Sequence, residues 1–194
     1  MVVPPTSPSR KQQLRRDMLA ARAAYVAGIA PGERDRLNAD LATILARNLG
    51  PGIASGYSAF GDEIDPGGLN RALLYPRVNR DAALSFHRCV PSDLNPGVFG
   101  VREPPPESPR VDPDIVLVPL LAVDRCGNRI GYGAGHYDRT LAALRVMRRV
   151  IAVGVAWDMQ LVEDLPADPW DAQLDALATP SGWIIFPSRP MSAR

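Results

Sequence analysis

The sequence predicts an α/β fold, a three-layer αβα sandwich around a mostly parallel sheet, and three observations carry that expectation. Apolar segments of strand length, such as residues 115–123 and 150–157, are continuous rather than alternating, as strands buried on both faces are. Segments of helical length separate the strands, as the crossovers between parallel strands require. The chain has 194 residues, is 46% apolar and shows no internal repeat or dividing linker, so one core is expected. The expected organisation is a disordered tail over residues 1–8, a single domain over 9–187 and a frayed end over 188–194.

The elements follow in order. A helix is expected over residues 9–26, with an apolar stripe of Leu14, Met18, Ala21 and Tyr25. Pro31 suits a first helical position and opens a second helix reaching Asn48. A strand over 52–59 comes next, and Asp65 with Pro66 opens a short helix ending near Leu74. Residues 84–89 read as a strand, and 91–113 as a proline-rich loop able to wall a pocket. The run 115–123, interrupted by Pro119, is the central strand, too short to span a bilayer. A helix over 137–147 and a strand over 150–157 follow, and residues 175–178 and 183–186 close the sheet.

Composition narrows the function. A net charge of +1 argues against a general nucleic-acid or membrane binder, and the basic residues are not interleaved with aromatics along a groove. The first residues, MVVPPTSPSR, contain no apolar signal-peptide core. Cys89 and Cys126 lack CxxC spacing and read as free thiols of a reducing compartment, so the expected location is cytoplasmic. The small net charge hides a segregation. Residues 10–36 carry seven bases against three acids, and 158–175 carry six acids and no base. One segment suits phosphate, the other a cation.

The most informative stretch is 114–141, a buried strand, a glycine-rich loop and the start of a helix. Gly127, Gly131, Gly133 and Gly135 let backbone N–H groups turn toward a ligand, and the helix beginning near Tyr137 adds the positive end of its dipole. The expected guest is a phosphate. Two familiar nucleotide fingerprints are absent: His136 stands where G-x-G-x-x-G from Gly131 needs glycine, and no Gly-Lys-Ser/Thr closes a P-loop.

Lys11 is the single lysine, set against 21 arginines. Positions 11, 15 and 22 fall within about 40° of one another on a helix, beside the apolar stripe. The three cations therefore flank the packed face, where they can reach over a neighbouring site, and an ammonium and a guanidinium complement each other as phosphate ligands.

The combination VPLLAVDRCGNRIGYGAGHYDR at 118–139 closely resembles the loop of the 5-formyltetrahydrofolate cyclo-ligase family, also called 5,10-methenyltetrahydrofolate synthetases, with its VPGLAFD-x-x-GNRLGxGxGYYDR pattern. The resemblance runs from about Lys11 to about Thr179. Lys11 and Arg15 match a Lys and Arg four apart on the first helix. Tyr57 to Glu63 matches a Tyr-led segment ending in the acid that holds the pterin. Pro76 and Arg77 match a Pro-Arg pair, and Asp171 in PADPWD matches the Asp of a late segment. There are departures. His136 replaces a usual Tyr, Ala134 a frequent Gly or Lys, Trp170 a common His, and the segment before Tyr75 lacks a loop and strand, a loss that exposes a sheet edge or reshapes the folate pocket.

The resemblance implies the cyclo-ligase-like (NagB/RpiA-like) fold and an ATP- and Mg²⁺-dependent ring closure of 5-formyltetrahydrofolate to 5,10-methenyltetrahydrofolate, with ADP and phosphate released. The γ-phosphoryl group goes to the formyl oxygen, N10 attacks the resulting iminium phosphate, and phosphate leaves. It implies Lys11, Arg15 and Arg129 as catalytic cations. ATP would lie on these and on Ile130, Gly131, Tyr132, Gly133, Ala134, Gly135, His136 and Tyr137. Folate would meet Ser58, Glu63 and the loop from Tyr132 to His136, and Mg²⁺ would be held by Asp138 and Asp171, partly through water. The expected partner is this small molecule alone, bound by a monomer with no nucleic acid or membrane. A relative that binds nucleotide or folate without ring closure, or acts on another acceptor, stays open. Read singly, Asp138 also suits helix-charge stabilisation, Asp171 the surface, Glu63 an exposed turn, and the tyrosines packing.

Overall fold

The computed structural model describes residues 9–79 and 83–187, so the expectations for 1–8 and 188–194 lie outside the described residues. The first helix, α1 (Arg10–Ala27), starts where a reciprocal cap fixes it: the Gln12 amide donates to Ser9 Oγ at 3.3 Å and the Ser9 amide to Gln12 Oε1 at 3.0 Å. This cap brackets Lys11, which lies between Ser9 and Gln12, and anchors that end of the helix. The second, α2 (Glu33–Asn48), begins two residues later than Pro31 suggested, because Gly32 is left-handed at φ +79° and cannot be helical.

Strand β1 (Ala54–Ser55) is shorter than expected. Past Gly56, which gives one further bond to the Leu74 carbonyl at 2.8 Å, the chain leaves the sheet. The helix expected over 65–74 is only a single 3₁₀ turn over Pro66–Gly68, capped by Asp65. Leu73–Arg77 is instead a strand, β2, which pairs with β3 (Ser85–Arg88). Pro76 concealed it, since a proline argues against a sheet interior and is accepted here in the antiparallel pair near the sheet's margin. The outer side of β3 is not bare: the Arg88 amide donates to the Pro109 carbonyl and the Val111 amide to the Phe86 carbonyl, each at 2.9 Å. The returning loop thus covers the edge that the shortened segment was expected to expose. That loop carries the small hairpin β4 (Asn95–Pro96) and β5 (Arg102–Glu103).

The central run divides at its proline. Strand β6 (Ile115–Pro119) is followed by a bend and by β7 (Ala122–Val123), which forms a separate hairpin with β8 (Arg129–Ile130). The Asp124 carboxylate ties the hairpin turn by accepting from the Cys126 and Asn128 amides at 2.9 Å and from the Asn128 side chain at 2.8 Å. After the glycine loop come α3 (His136–Met147), β9 (Ile151–Val155), β10 (Ala176–Thr179) and β11 (Gly182–Ile185).

The main sheet has the order β11-β10-β9-β6-β1-β2-β3, parallel in its middle and antiparallel at each margin. Ile115 and Leu117 face Leu41 and Leu45 of α2, while Val116 and Val118 face Leu141 and Leu144 of α3. Both faces are covered, which explains the continuous apolar run and gives the expected three layers. The chain winds one way from β1 to β2 and the other way from β6 through β9 to β10. A crevice is therefore left beyond the carboxyl ends of β1 and β6, where ligands of doubly wound sheets bind.

Trp157 closes β9 beside that crevice, fully buried, with its ring Nε1 donating to the Asp62 carbonyl at 2.8 Å and its ring 5.7 Å from that of Tyr25. Trp157→Ala is expected to cost about 3–5 kcal/mol of stability, measured by urea unfolding, because it opens a cavity and frees the Asp62 carbonyl at once.

Candidate active site

A cavity of about 840 Å³ opens at this crevice. Each candidate from the sequence borders it: Lys11 and Arg15 from α1, Ser58 and Glu63 from the segment after β1, every residue from Arg129 to Asp138, and Asp171. The expected loop wall is also there, supplied by Phe99, Val101 and Arg102.

One end is built for negative charge. Arg15 Nε donates to the Gly131 carbonyl at 3.0 Å, and a Cβ at Gly133, which is left-handed at φ +98°, would lie 3.2 Å from the Arg15 guanidinium. The loop's glycine is what lets α1 approach so closely. Arg139 Nη2 donates to the Ala134 carbonyl at 2.8 Å. The N-cap of α3 is Gly135, which has no side chain to cap the helix, and among the described residues the buried Nε2 of His136 has no hydrogen-bond partner. A cradle of cations, open amides and an orphaned imidazole nitrogen suits a polyphosphate.

The two segregated charge groups meet here rather than standing apart. Lys11 Nζ bridges Asp168 Oδ2 at 2.6 Å and Asp171 Oδ2 at 2.5 Å. Burial lowers the Lys11 pKa, but hydrogen bonds and charge from the two carboxylates outweigh it and raise it. Arg129 is largely buried and donates to Asp138 Oδ1 at 2.8 Å and to the Ala172 carbonyl. Burial depresses its pKa and Asp138 restores part of that loss. Asp138 also accepts from the Ala172 amide at 3.0 Å, so it joins α3 to the acidic loop. Among the described residues no three or more His, Cys, Asp or Glu side chains gather as a metal cage. Asp138 and Asp171 are hard oxygen donors that fit Mg²⁺, a cation content with one or two carboxylates when phosphate and water complete its shell.

The other end is aromatic around a single acid. Glu63 is 6% exposed, contrary to the exposed-turn reading. Its Oε2 accepts from the Phe60 amide at 3.0 Å, and Arg34 Nη2 holds the Gly61 and Glu63 carbonyls, each at 3.2 Å. Burial raises the Glu63 pKa, opposed by the Phe60 amide, Arg22 and Tyr132. Phe60 exposes its ring beside this acid, while Phe99, whose ring lies 6.3 Å from that of His136, and Trp170, between Asp168 and Asp171 in the acidic loop, expose theirs elsewhere on the rim. Sequence reasoning gave Phe60 and Asp168 no place, although Asp168 stands three residues before Asp171 in the same acidic run; Phe99 belongs to the expected loop wall, and Trp170 entered only as a departure from the family pattern. Arg22 shared the helical face of Lys11 and Arg15, yet it turns inward to Tyr132.

The raised Glu63 pKa has a stability consequence. Between the unfolded carboxyl value and the higher folded one, the native state binds more protons, so stability falls as pH rises through that window and the penalty is fully present above it. Glu63→Gln is therefore expected to melt at the same or a higher temperature than wild type at pH 7, with the gain shrinking toward pH 4. Thermal unfolding followed across pH checks this.

A family model described as the 5-formyltetrahydrofolate cyclo-ligase family matches residues 69–180. A 5-formyltetrahydrofolate cyclo-ligase of Mycolicibacterium smegmatis is 34% identical, over 92% of this chain and 98% of its own. The Escherichia coli K12 enzyme of the same name is 47% identical over 35% of this chain and 37% of its own. The solution structure of the Aquifex aeolicus 5,10-methenyltetrahydrofolate synthetase superposes with a TM-score of 0.72 at 30% identity, over 95% of this chain and 96% of that one. The Mycoplasma pneumoniae synthetase gives 0.67 at 23% identity, over 88% and 99%, a likeness of fold. A model match across more than half the chain and a relative matched along nearly its whole length agree with the motifs and the fold: the chain belongs to the 5-formyltetrahydrofolate cyclo-ligase family.

Proposed function

We propose that the protein catalyses the ATP- and Mg²⁺-dependent cyclisation of 5-formyltetrahydrofolate to 5,10-methenyltetrahydrofolate, releasing ADP and phosphate. The observation that carries this reading is the single cavity whose one end gathers Lys11, Arg15 and the Gly131–Gly135 amides and whose other end buries Glu63 among aromatic rings. A nucleotide triphosphate and a pterin side by side need these two chemistries within one space.

A formyl amide is a poor electrophile and its oxygen a poor leaving group. Phosphorylation of that oxygen cures both faults, after which N10 closes the ring and phosphate departs. Such a reaction asks the protein chiefly for alignment and for charge neutralisation. In this reading Lys11 and Arg15 meet phosphate oxygens, the loop amides and the N-terminus of α3 receive the charge that develops, and His136 Nε2 finds its missing partner. Glu63 accepts hydrogen bonds from the pterin, and Ser58, Tyr132 and the loop to His136 border it. Arg129 holds Asp138 in place from beneath. Mg²⁺, on Asp138 and Asp171, would supply further neutralisation of phosphate charge. The protein is read as a cytoplasmic monomer with no nucleic-acid or membrane partner; among the described residues no helix is long and apolar enough to cross a membrane.

Purified protein mixed with 5-formyltetrahydrofolate and Mg²⁺-ATP is expected to generate the methenyl chromophore, and none when ATP is withheld. Tight binding of both ligands without product would instead identify a non-catalytic relative. Lys11→Ala is expected to lower kcat/KM for ATP on the order of 10²-fold, since it removes a cation from the transferring phosphate and leaves Asp168 and Asp171 unneutralised. Wild-type turnover and ATP affinity in that variant would remove Lys11 from the proposed machinery.

A further inference from the structure

Arg22 is a buried charge without a task in this reaction. It lies on α1 at 4% exposure, although it shares a helical face with two cations that border the cavity. Nη2 donates to the Tyr132 hydroxyl at 2.6 Å, and the guanidinium carbon stands 5.7 Å from the centroid of the Tyr132 ring. Its Nε and Nη1 are buried with no hydrogen-bond partner among the described residues. A guanidinium so poorly solvated persists where an anion shares its low-dielectric surroundings. Glu63 is the buried acid at this end of the site, and the charge of Arg22 works against burial in setting its pKa. Tyr132 stands between them in effect. Its oxygen accepts from Arg22, which leaves its own proton free to be given to an acceptor, and Glu63 is the carboxylate it faces.

We infer that Arg22 is a positioning residue of the substrate site: it orients the Tyr132 hydroxyl and sets a buried positive charge at the Glu63 end of the cavity, so that this end accepts the paired N–H donors of a pterin. The inference rests on the proposed role of Glu63 toward the pterin. A carboxylate receives the ring N–H and amino group of such a heterocycle as two parallel bonds, and its protonated form loses one acceptor. Several groups bear on Glu63. The Phe60 amide donates to it, Arg34 binds its backbone carbonyl, and the phenols of Tyr57, Tyr132 and Tyr137 interact with its charge. Burial drives its pKa up, and among side chains Arg22 leads the opposition.

The test uses Arg22→Leu, Arg22→Lys and Tyr132→Phe, with thermal unfolding to confirm that each folds. The ligand-free protein with ¹³C-labelled glutamate is titrated by NMR; the chain has five glutamates, and Glu63→Gln assigns the resonance. Expected is an upward move of the Glu63 midpoint in Arg22→Leu, with Arg22→Lys closer to wild type. Binding of 5-formyltetrahydrofolate by calorimetry across pH is expected to weaken about tenfold or more at pH 7 in Arg22→Leu, whose ATP affinity holds, and less in Tyr132→Phe. A folded Arg22→Leu whose Glu63 titrates as in wild type overturns the inference, as does a loss confined to ATP. If the wild-type protein fails to bind the folate, the proposed function falls, and the NMR titration still decides whether Arg22 governs Glu63.

Discussion

Gln160 marks the point on which both halves of the site depend. Pro119 has no amide hydrogen, so the chain leaves the sheet there and two carbonyls of the bend must find donors in a dry interior. The Gln160 carboxamide supplies them, donating to Leu120 O at 2.7 Å and Leu121 O at 3.1 Å, while its oxygen accepts from the Trp157 amide at 2.8 Å. It is 1% exposed, so each of these bonds forms away from water. The bend it secures sends the chain into the β7–β8 hairpin and on into the glycine loop. The residue it grips, Trp157, holds the Asp62 carbonyl next to Glu63. One amide side chain just past β9 thus ties the bend that leads to the glycine loop to the residue that holds the Asp62 carbonyl.

Charge is organised differently from the way its distribution along the chain suggests. The basic first helix and the acidic late loop read as one phosphate segment and one cation segment, yet Lys11 sits between Asp168 and Asp171. An anionic ligand must therefore draw the ammonium from two carboxylates, and the exchange favours a ligand that brings its own cation to leave with them. The exposed neighbour pair Arg10–Asp164, at 3.9 Å, adds little in water beyond guiding the same two segments together.

Residues that break ordinary rules of folding collect around the cavity. Phe99 is left-handed at φ 58° and 75% exposed, Trp170 is 73% exposed, and Arg22 and Glu63 are buried charges. Each costs stability, and the well-packed sheet carries that cost. Away from the cavity the same chain follows the rules closely, with Ile115 to Val118 alternating between α2 and α3 and with a reciprocal cap on α1.

The sequence by itself determined the layered α/β class, because continuous apolar runs bury on two faces only when helices cover both. It also determined the candidate site, because a loop of closely spaced glycines, a lone lysine and a family pattern are local features that survive without coordinates. Element ends were harder to read where one residue decided them: Gly32 delayed α2, Pro119 divided the central run and Pro76 disguised β2. Tertiary structure alone decided what depends on residues far apart in the chain. The burial of Glu63 under Trp157 and Arg34, the capture of Lys11 by an acidic loop some 160 residues away and the inward turn of Arg22 are examples. A carboxylate in a turn and a cation on a helix face take their character from the dielectric and the partners around them. Those are properties of packing, which no local pattern records.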